Sequence, residues 1–398
     1  MKRSIWSFSG VVCVVLVIQV SVYAVEPTGN TDWPTLQHDF QRTGYTPVCP
    51  KPPWRVRWMW SDGQKIDRTG LRGDQFGINK LPSFLTVRFV SHVQPMVYRG
   101  VGFVGSVEGQ VFAIDVATGE TRWKAQASGP ILHSLAIADN AVLVPTMRGV
   151  DAFDLQGKKL WHFDDRRLGG FWSSPAYEDG VVLIGSLSGY FYAIDIKTGK
   201  ERWSYRTRAP IAHCPAVYNG AVFFAAEDMH AYSINVATGK LKWKSERMHG
   251  LTVKHSWPVV AAVEGVVIFR TASVTNDHAL MRAVEAAPED YDKAQDAMRE
   301  VASQKPYDRT MYVLNLNSGK EVVRVVSGYL SLDEVPVPPI VLTSPVKAID
   351  GRSLSTGTVL GWHWSKGGAF QPTGRFSGYA SPVDFGSINF KTGRFERI

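Results

Sequence analysis

Residues 193–203 read AIDIKTGKERW, and the same pattern returns along the chain: AIDVATGETRW ends at Trp123, AFDLQGKKLW at Trp161 and SINVATGKLKW at Trp243. A weaker copy, VLNLNSGKEVV, runs to Val323. The spacing of about 40 residues is the length of a four-stranded propeller blade.

Each copy reads as two strands around a turn. Asp115, Asp154, Asp195 and Asn235 end one strand with a side chain able to accept from the next backbone N–H groups. Gly119, Gly157, Gly199 and Gly239 supply the positive φ that reverses the chain. Trp123, Trp161, Trp203 and Trp243 follow on the returning strand. Burying about 150–250 Å² of each indole against a neighbouring blade at about 25 cal/mol/Å² gives roughly 4–6 kcal/mol as an upper bound. These tryptophans are therefore expected to join sheet to sheet.

Two further strands lie upstream of each motif. Arg99-Gly100, Asp139-Asn140, Asp179-Gly180, Asn219-Gly220 and Glu264-Gly265 sit between apolar runs, the signature of tight hairpins. A second set of turns follows at Glu108-Gly109, Arg148-Gly149 and Ser188-Gly189. The repeat thus holds antiparallel strands A to D, and an all-β propeller stacks such sheets radially to protect their edges.

Gln94-Pro95, Ser134-Leu135, Ser174-Pro175, Cys214-Pro215, Trp257-Pro258, Ser344-Pro345 and Ser381-Pro382 open strands at comparable phase. That count predicts seven blades with the last cut short; eight blades, or a truncated chain, are the alternatives. Residues 54–60, rich in aromatics, could supply the missing outer strand and close the ring. A polar, Gly-rich stretch at 61–91 and a helical insertion at 276–306 interrupt the repeat, the latter with Tyr291, Ala294, Met298 and Val301 on one stripe.

The first residues bear on the compartment. Lys2 and Arg3 precede an apolar run at 5–22, and Val22-Tyr23-Ala24 offers small residues at the two positions a signal peptidase reads. Residues 1–24 are expected to be a signal peptide and 25–398 the propeller, exported to the periplasm or secreted. Val12 stands where a lipoprotein signal before Cys13 wants Gly or Ala, which argues against lipidation. Only Cys49 and Cys214 remain after cleavage, leaving at most one bridge and no disulfide framework. The formal charge of +8 is spread over isolated Lys and Arg, a solvated surface rather than a nucleic-acid groove.

Strand parity gathers one set of candidate residues. The start of A, the B–C turn and the crossover to the next A lie on one face, where the insertions at 61–91 and 276–306 also fall. His133 and His213 stand just before strand A, with His92 and His255 one position earlier, so the imidazoles surround the axial mouth. They are a candidate metal site, because neutral imidazole binds transition metals. The bland alternative is a polar connection between blades, and the equivalent residue of the third blade is Ser173.

The tandem A-x-D-x-x-T-G-x-x-x-W motif, Ser-Ser-Pro-Ala at 173–176 and the opening DWPTLQHDFQRTGYTP at 32–47 resemble the pyrroloquinoline quinone (PQQ) dehydrogenase-like propeller repeat proteins. Dehydrogenases of that family carry vicinal cysteines beside the quinone, calcium ligands and a catalytic Asp. This chain has no adjacent cysteines, and it lacks C-x-x-C-H, H-E-x-x-H and G-x-S-x-G. In repeat type it also resembles the propeller subunit of the bacterial outer-membrane assembly machinery, a lipoprotein whose family acts on protein partners. The expectation is an exported non-catalytic scaffold without cofactor, binding proteins or cell-envelope polymers and no nucleic acid. The alternative is a PQQ- or metal-dependent oxidoreductase with its site at the axial mouth.

Overall fold

A computed structural model describes residues 32–44, 57–62, 93–271 (except 166, 168, 251, 254, 255 and 263) and 311–323, together with short backbone strands between 340 and 397. Residues 1–24, expected to be a signal peptide, residues 54–56, Cys49, His92, His255 and the insertion expected at 276–306 lie outside the described residues.

The described residues form six four-stranded antiparallel sheets and one two-stranded ribbon. In the first sheet β1 (Met96–Tyr98), β2 (Val101–Gly105), β3 (Gln110–Asp115) and β4 (Thr121–Gln126) lie in chain order. The second holds β5 (Ala136–Ala138), β6 (Ala141–Thr146), β7 (Gly149–Asp154) and β8 (Lys159–Phe163). β9 (Ala176–Glu178), β10 (Val181–Gly185), β11 (Tyr190–Asp195) and β12 (Glu201–Arg206) make the third. The fourth contains β13 (Ala216–Tyr218), β14 (Ala221–Ala226), β15 (His230–Asn235) and β16 (Leu241–Lys244). The fifth is built from β17 (Val259–Ala261), β18 (Val266–Arg270), β19 (Met311–Asn315) and β20 (Glu321–Val323).

Burial follows position in the sheet. β6, β10 and β14 are buried along their whole length, because second strands are covered on both faces by neighbouring sheets. β4 alternates exposed and half-buried residues, as an outer strand with one solvated side must. The cores accordingly lie between successive sheets: Leu183, Phe191 and Ala193 of the third pack with Val222, Phe224 and Ile234 of the fourth. The Phe191 and Phe224 rings stack with centroids 4.0 Å apart.

One irregularity recurs. The pairing of third and fourth strands shifts register at Ala113/Ile114, Ala152/Phe153, Ala193/Ile194, Ser233/Ile234 and Val313/Leu314. The extra residue precedes the tryptophan position, and a bulge there adds local twist that turns the next side chain. At Arg122 and Arg202 it also brings a guanidinium 2.6 Å from the turn carboxylates of Asp115 and Asp195.

The sixth sheet departs from the sequence expectation. It comprises β21 (Ile340–Val341), β24 (Thr358–His363), β25 (Val383–Ile388) and β26 (Phe395–Arg397), while β22 (Val346–Lys347) and β23 (Ser353–Leu354) form the separate ribbon. The strand after Ser381-Pro382 was expected to open a seventh blade, yet it pairs between β24 and β26 as a third strand. A Ser-Pro pair favours extended chain and a strand start without specifying which strand. The informative signal was Ser387-Ile388-Asn389 with Thr392-Gly393, another copy of the turn motif.

Candidate functional site

The first strand of each sheet is innermost, and its inner edge would present unpaired backbone groups to the axis. Residues 32–44 cover those edges. Trp33 and Val97 exchange N–H···O bonds at 2.6 and 2.9 Å in an isolated antiparallel bridge. Ile137 N–H donates to the Pro34 carbonyl (2.7 Å), Val217 N–H to Phe40 (2.7 Å) and Val260 N–H to Gln41 (3.0 Å). Val97, Ile137, Val217 and Val260 are the middle residues of β1, β5, β13 and β17, so one strap pairs with four blades. Phe40 meets Tyr177 of β9 with ring centroids 6.0 Å apart, which adds the remaining blade of the first five.

Arg42 anchors the strap and is fully buried. Its Nε donates to the Pro215 carbonyl at 2.9 Å and its Nη2 to the Pro175 carbonyl at 2.9 Å. Nη1 donates to Thr35 Oγ1 (2.6 Å) and to the Leu36 carbonyl (2.8 Å). The guanidinium thus locks two blades to the strap and the strap to itself. Burial pulls its pKa down to about 10, against the opposing influence of Cys214 and Asp39, so it remains a cation at neutral pH.

Beside it, the residues that open strand A form inter-blade latches. Gln94 N–H donates to Ser134 Oγ at 2.7 Å, and Ser174 N–H donates to Cys214 Sγ at 3.1 Å. Ser134 and Cys214 occupy the same place in the second and fourth repeats, the cysteine standing in for a hydroxyl acceptor. Burial pushes the Cys214 thiol up to about 11 despite the nearby Arg42 charge.

His133 and His213 are both buried close to this anchor. His133 Nδ1 accepts from the Ser134 N–H (2.9 Å), which leaves the proton on Nε2, 3.5 Å from Cys214 Sγ. His213 Nδ1 accepts from the Ala225 N–H (3.3 Å), and its ring lies 5.8 Å from that of Phe269. Its Nε2 is buried without a hydrogen-bond partner among the described residues, and burial pushes its pKa down to about 3. Among the described residues no group of three or more His, Cys, Asp and Glu is arranged to hold a metal ion. The sequence reading singled out His133 and His213 but missed Arg42. The signal was present in DWPTLQHDFQRTGYTP, a patterned segment outside every blade that still had to be placed.

The recurring tryptophans dock on the turn glycines of the next blade. A Cβ at Gly157, Gly199, Gly239 or Gly319 would come within about 3 Å of the Trp123, Trp161, Trp203 or Trp243 indole respectively. Each Nε1–H donates to the carbonyl of the residue that follows that blade's third strand: Leu155, Ile196, Val236 and Leu316, at 2.7–2.9 Å. They are packed between sheets.

Polar clusters also sit where crossovers meet turns. Asp165, buried, accepts from the Ser186 hydroxyl and from Tyr192 OH, which in turn accepts from Arg167 Nη1 at 2.7 Å. Burial opposes ionisation of this carboxyl, but the donors outweigh it and hold its pKa below the usual range.

Radially packed four-stranded sheets with a tryptophan-docking turn define a propeller of PQQ-like repeats. The chain belongs to the family described as outer membrane protein assembly factor BamB, whose model matches residues 20–169 and 146–280, more than half of the sequence. It is 27% identical over 116 residues to BamB of Burkholderia pseudomallei, covering 29% of this chain and 30% of that protein. Against BamB of Shewanella oneidensis it is 31% identical over 107 residues, 25% of this chain and 27% of the relative. The match therefore spans less than a third of either relative's own length. The crystal structure of BamB from Moraxella catarrhalis is similar with a TM-score of 0.45 and 18% identity, over 64% of this chain and 66% of that one.

Proposed function

We propose that this protein is an exported, non-catalytic scaffold of the cell envelope that binds protein partners through the loop faces of its propeller. Membership of the assembly-factor family supports an envelope role, and the periplasm or the exterior is the compartment that fits the leader. The observation that supports the non-catalytic reading is the strap of residues 32–44 along the inner edges of the blades. The alternative oxidoreductase site belongs at the axial mouth, and there residues 32–44 bond to the innermost strands of four blades, with Thr35, Leu36 and Arg42 buried.

The test is direct. Mature protein beginning at Val25, confirmed by N-terminal sequencing, is assayed for dye reduction with alcohols and sugars in the presence of PQQ and calcium. No PQQ-dependent turnover is expected, whereas turnover abolished by omitting PQQ overturns the reading. Cross-linking in intact cells should join lysines of the loop faces to envelope proteins.

A second reading, a transition metal at the axial mouth, draws on one observation: His213 Nε2 is buried without a partner, and His133 Nε2 approaches Cys214 Sγ. Both Nε2 atoms hold a proton in the arrangement described, so a metal would have to displace it.

A further inference from the structure

We propose that the inner wall of the ring is a binding site for an extended peptide carrying one arginine, a site that the chain fills in cis with its own residues 32–44. This goes beyond the scaffold role and does not depend on it, since the loop faces could bind partners whether or not the strap ever leaves.

The recognition chemistry has two parts. The wall offers the amides of Val97, Ile137, Val217 and Val260, and the strap answers with main-chain carbonyls of Trp33, Pro34, Phe40 and Gln41. Contacts of this kind hold an extended chain with little regard for its side chains, as when a peptide adds to a sheet edge. Sequence is read by the guanidinium. The carbonyls of Pro175 and Pro215 belong to two successive blades and accept from different nitrogens of Arg42, a fork that the point charge of lysine cannot reproduce.

The strap is also the kind of segment that can exchange. It joins no sheet of its own, and its backbone touches the wall through one bonded pair at Val97 and single bonds at Ile137, Val217 and Val260. Three of its non-glycine residues, Gln37, His38 and Arg42, have φ of 58°, 71° and 61°, the left-handed region that side chains disfavour. Such strain persists only while the surroundings impose it, so it opposes the contacts that keep the strap in place.

The experiment uses the full mature chain with a protease site introduced between Gly44 and Arg57. The folded protein is cut, and a fluorescent peptide of residues 31–45 is added. The cut protein is expected to keep a cooperative melt and to take up the labelled peptide, with unlabelled peptide competing. A peptide with Arg42→Ala should bind at least about 30-fold more weakly, the scale of lost charge-assisted hydrogen bonds. Failure to exchange, collapse of the fold on strap release, or equal binding of both peptides overturns the proposal. Hydrogen exchange on uncut Arg42→Ala protein gives an independent readout. Faster exchange at Val97, Ile137, Val217 and Val260 with β10 and β14 unchanged supports a local site; uniform loss of protection across all blades overturns it.

Discussion

Trp58 lies over Gly119 and donates its Nε1–H to the carbonyl of Val116, three residues before that glycine, at 2.8 Å. The same relationship joins Trp161 to Gly199 and Ile196, but there donor and acceptor belong to consecutive blades. Trp58 comes from before the first sheet, so the chain's N-terminal part supplies what a preceding blade would supply. Trp60 continues the contact, bonding Thr121 Oγ1 at 2.8 Å and meeting the Phe112 ring edge-on.

If residues 54–60 close the ring, Trp58→Ala should cost as much as a core tryptophan, about 3–5 kcal/mol. Trp58→Phe, which keeps the ring and loses the donor, should cost about 1 kcal/mol. Urea midpoints check both. An alanine variant as stable as the parent would reduce this segment to surface decoration.

The turn glycines separate two effects that usually travel together. Gly199 and Gly220 both have left-handed φ, at +67° and +71°. A Cβ at Gly199 would meet Trp161 Cδ2 at 2.7 Å, while one at Gly220 has nothing within 4 Å. Gly220→Ala should therefore cost only the backbone term of about 1 kcal/mol. Gly199→Ala should cost roughly 1–3 kcal/mol more, because the indole must move off the turn. Equal losses in denaturant unfolding would show that the indole yields freely.

Which parts of this were legible depended on repetition. The turn motif returns four times with its glycine and tryptophan in fixed register, so strand number, turn chemistry and sheet-to-sheet docking could be read from residues 113–243. The bulge before each tryptophan left no such mark, because Arg122, Leu160, Arg202, Lys242 and Val322 share no chemistry. Phase beyond Val323 differs from the expectation because Ser381-Pro382 reads as a blade opening, while the turn motif at 387–393 marks a third strand. The strap stood out as a patterned segment, but its place was not legible: its partners are backbone atoms of distant strands, and Arg42 bonds carbonyls at Pro175 and Pro215 that no side-chain pattern announces.

Blade two contains a carboxylate where its neighbours have an aromatic ring: Asp151 occupies the place of Phe112, Tyr192 and Tyr232. Its side chain has no exposed surface, yet Lys159 Nζ and His162 Nδ1 reach it at 2.7 and 2.8 Å and the Ser128 N–H donates to it. Burial opposes its ionisation, and these donors outweigh burial, so its pKa lies below the usual carboxylate range. A depressed folded pKa stabilises the fold above the unfolded value near about 3.9 and loses that contribution as pH falls through the folded value. Asp151→Asn should therefore cost roughly 1–3 kcal/mol at pH 7 and progressively less below about pH 4. Urea midpoints of both proteins at pH 7 and pH 3 decide the matter. A gap that stays constant would mean that the charge of Asp151 contributes nothing.

The axial histidines allow the two functional readings to be separated by composition rather than by activity. His133 and His213 each accept a backbone N–H at Nδ1, which fixes the proton on Nε2 and places that proton toward the buried interior. A first-row transition metal at about 2 Å would need those protons removed and at least one further ligand, and Cys214, whose thiol is raised to about 11, would also have to ionise. The scaffold reading therefore expects the same low metal content in the parent protein and in a His133→Ala, His213→Ala double variant, measured by elemental analysis after purification without chelators. Stoichiometric metal in the parent that disappears in the double variant, and that acidification toward pH 5 also releases, would establish the metal site and displace the pure scaffold.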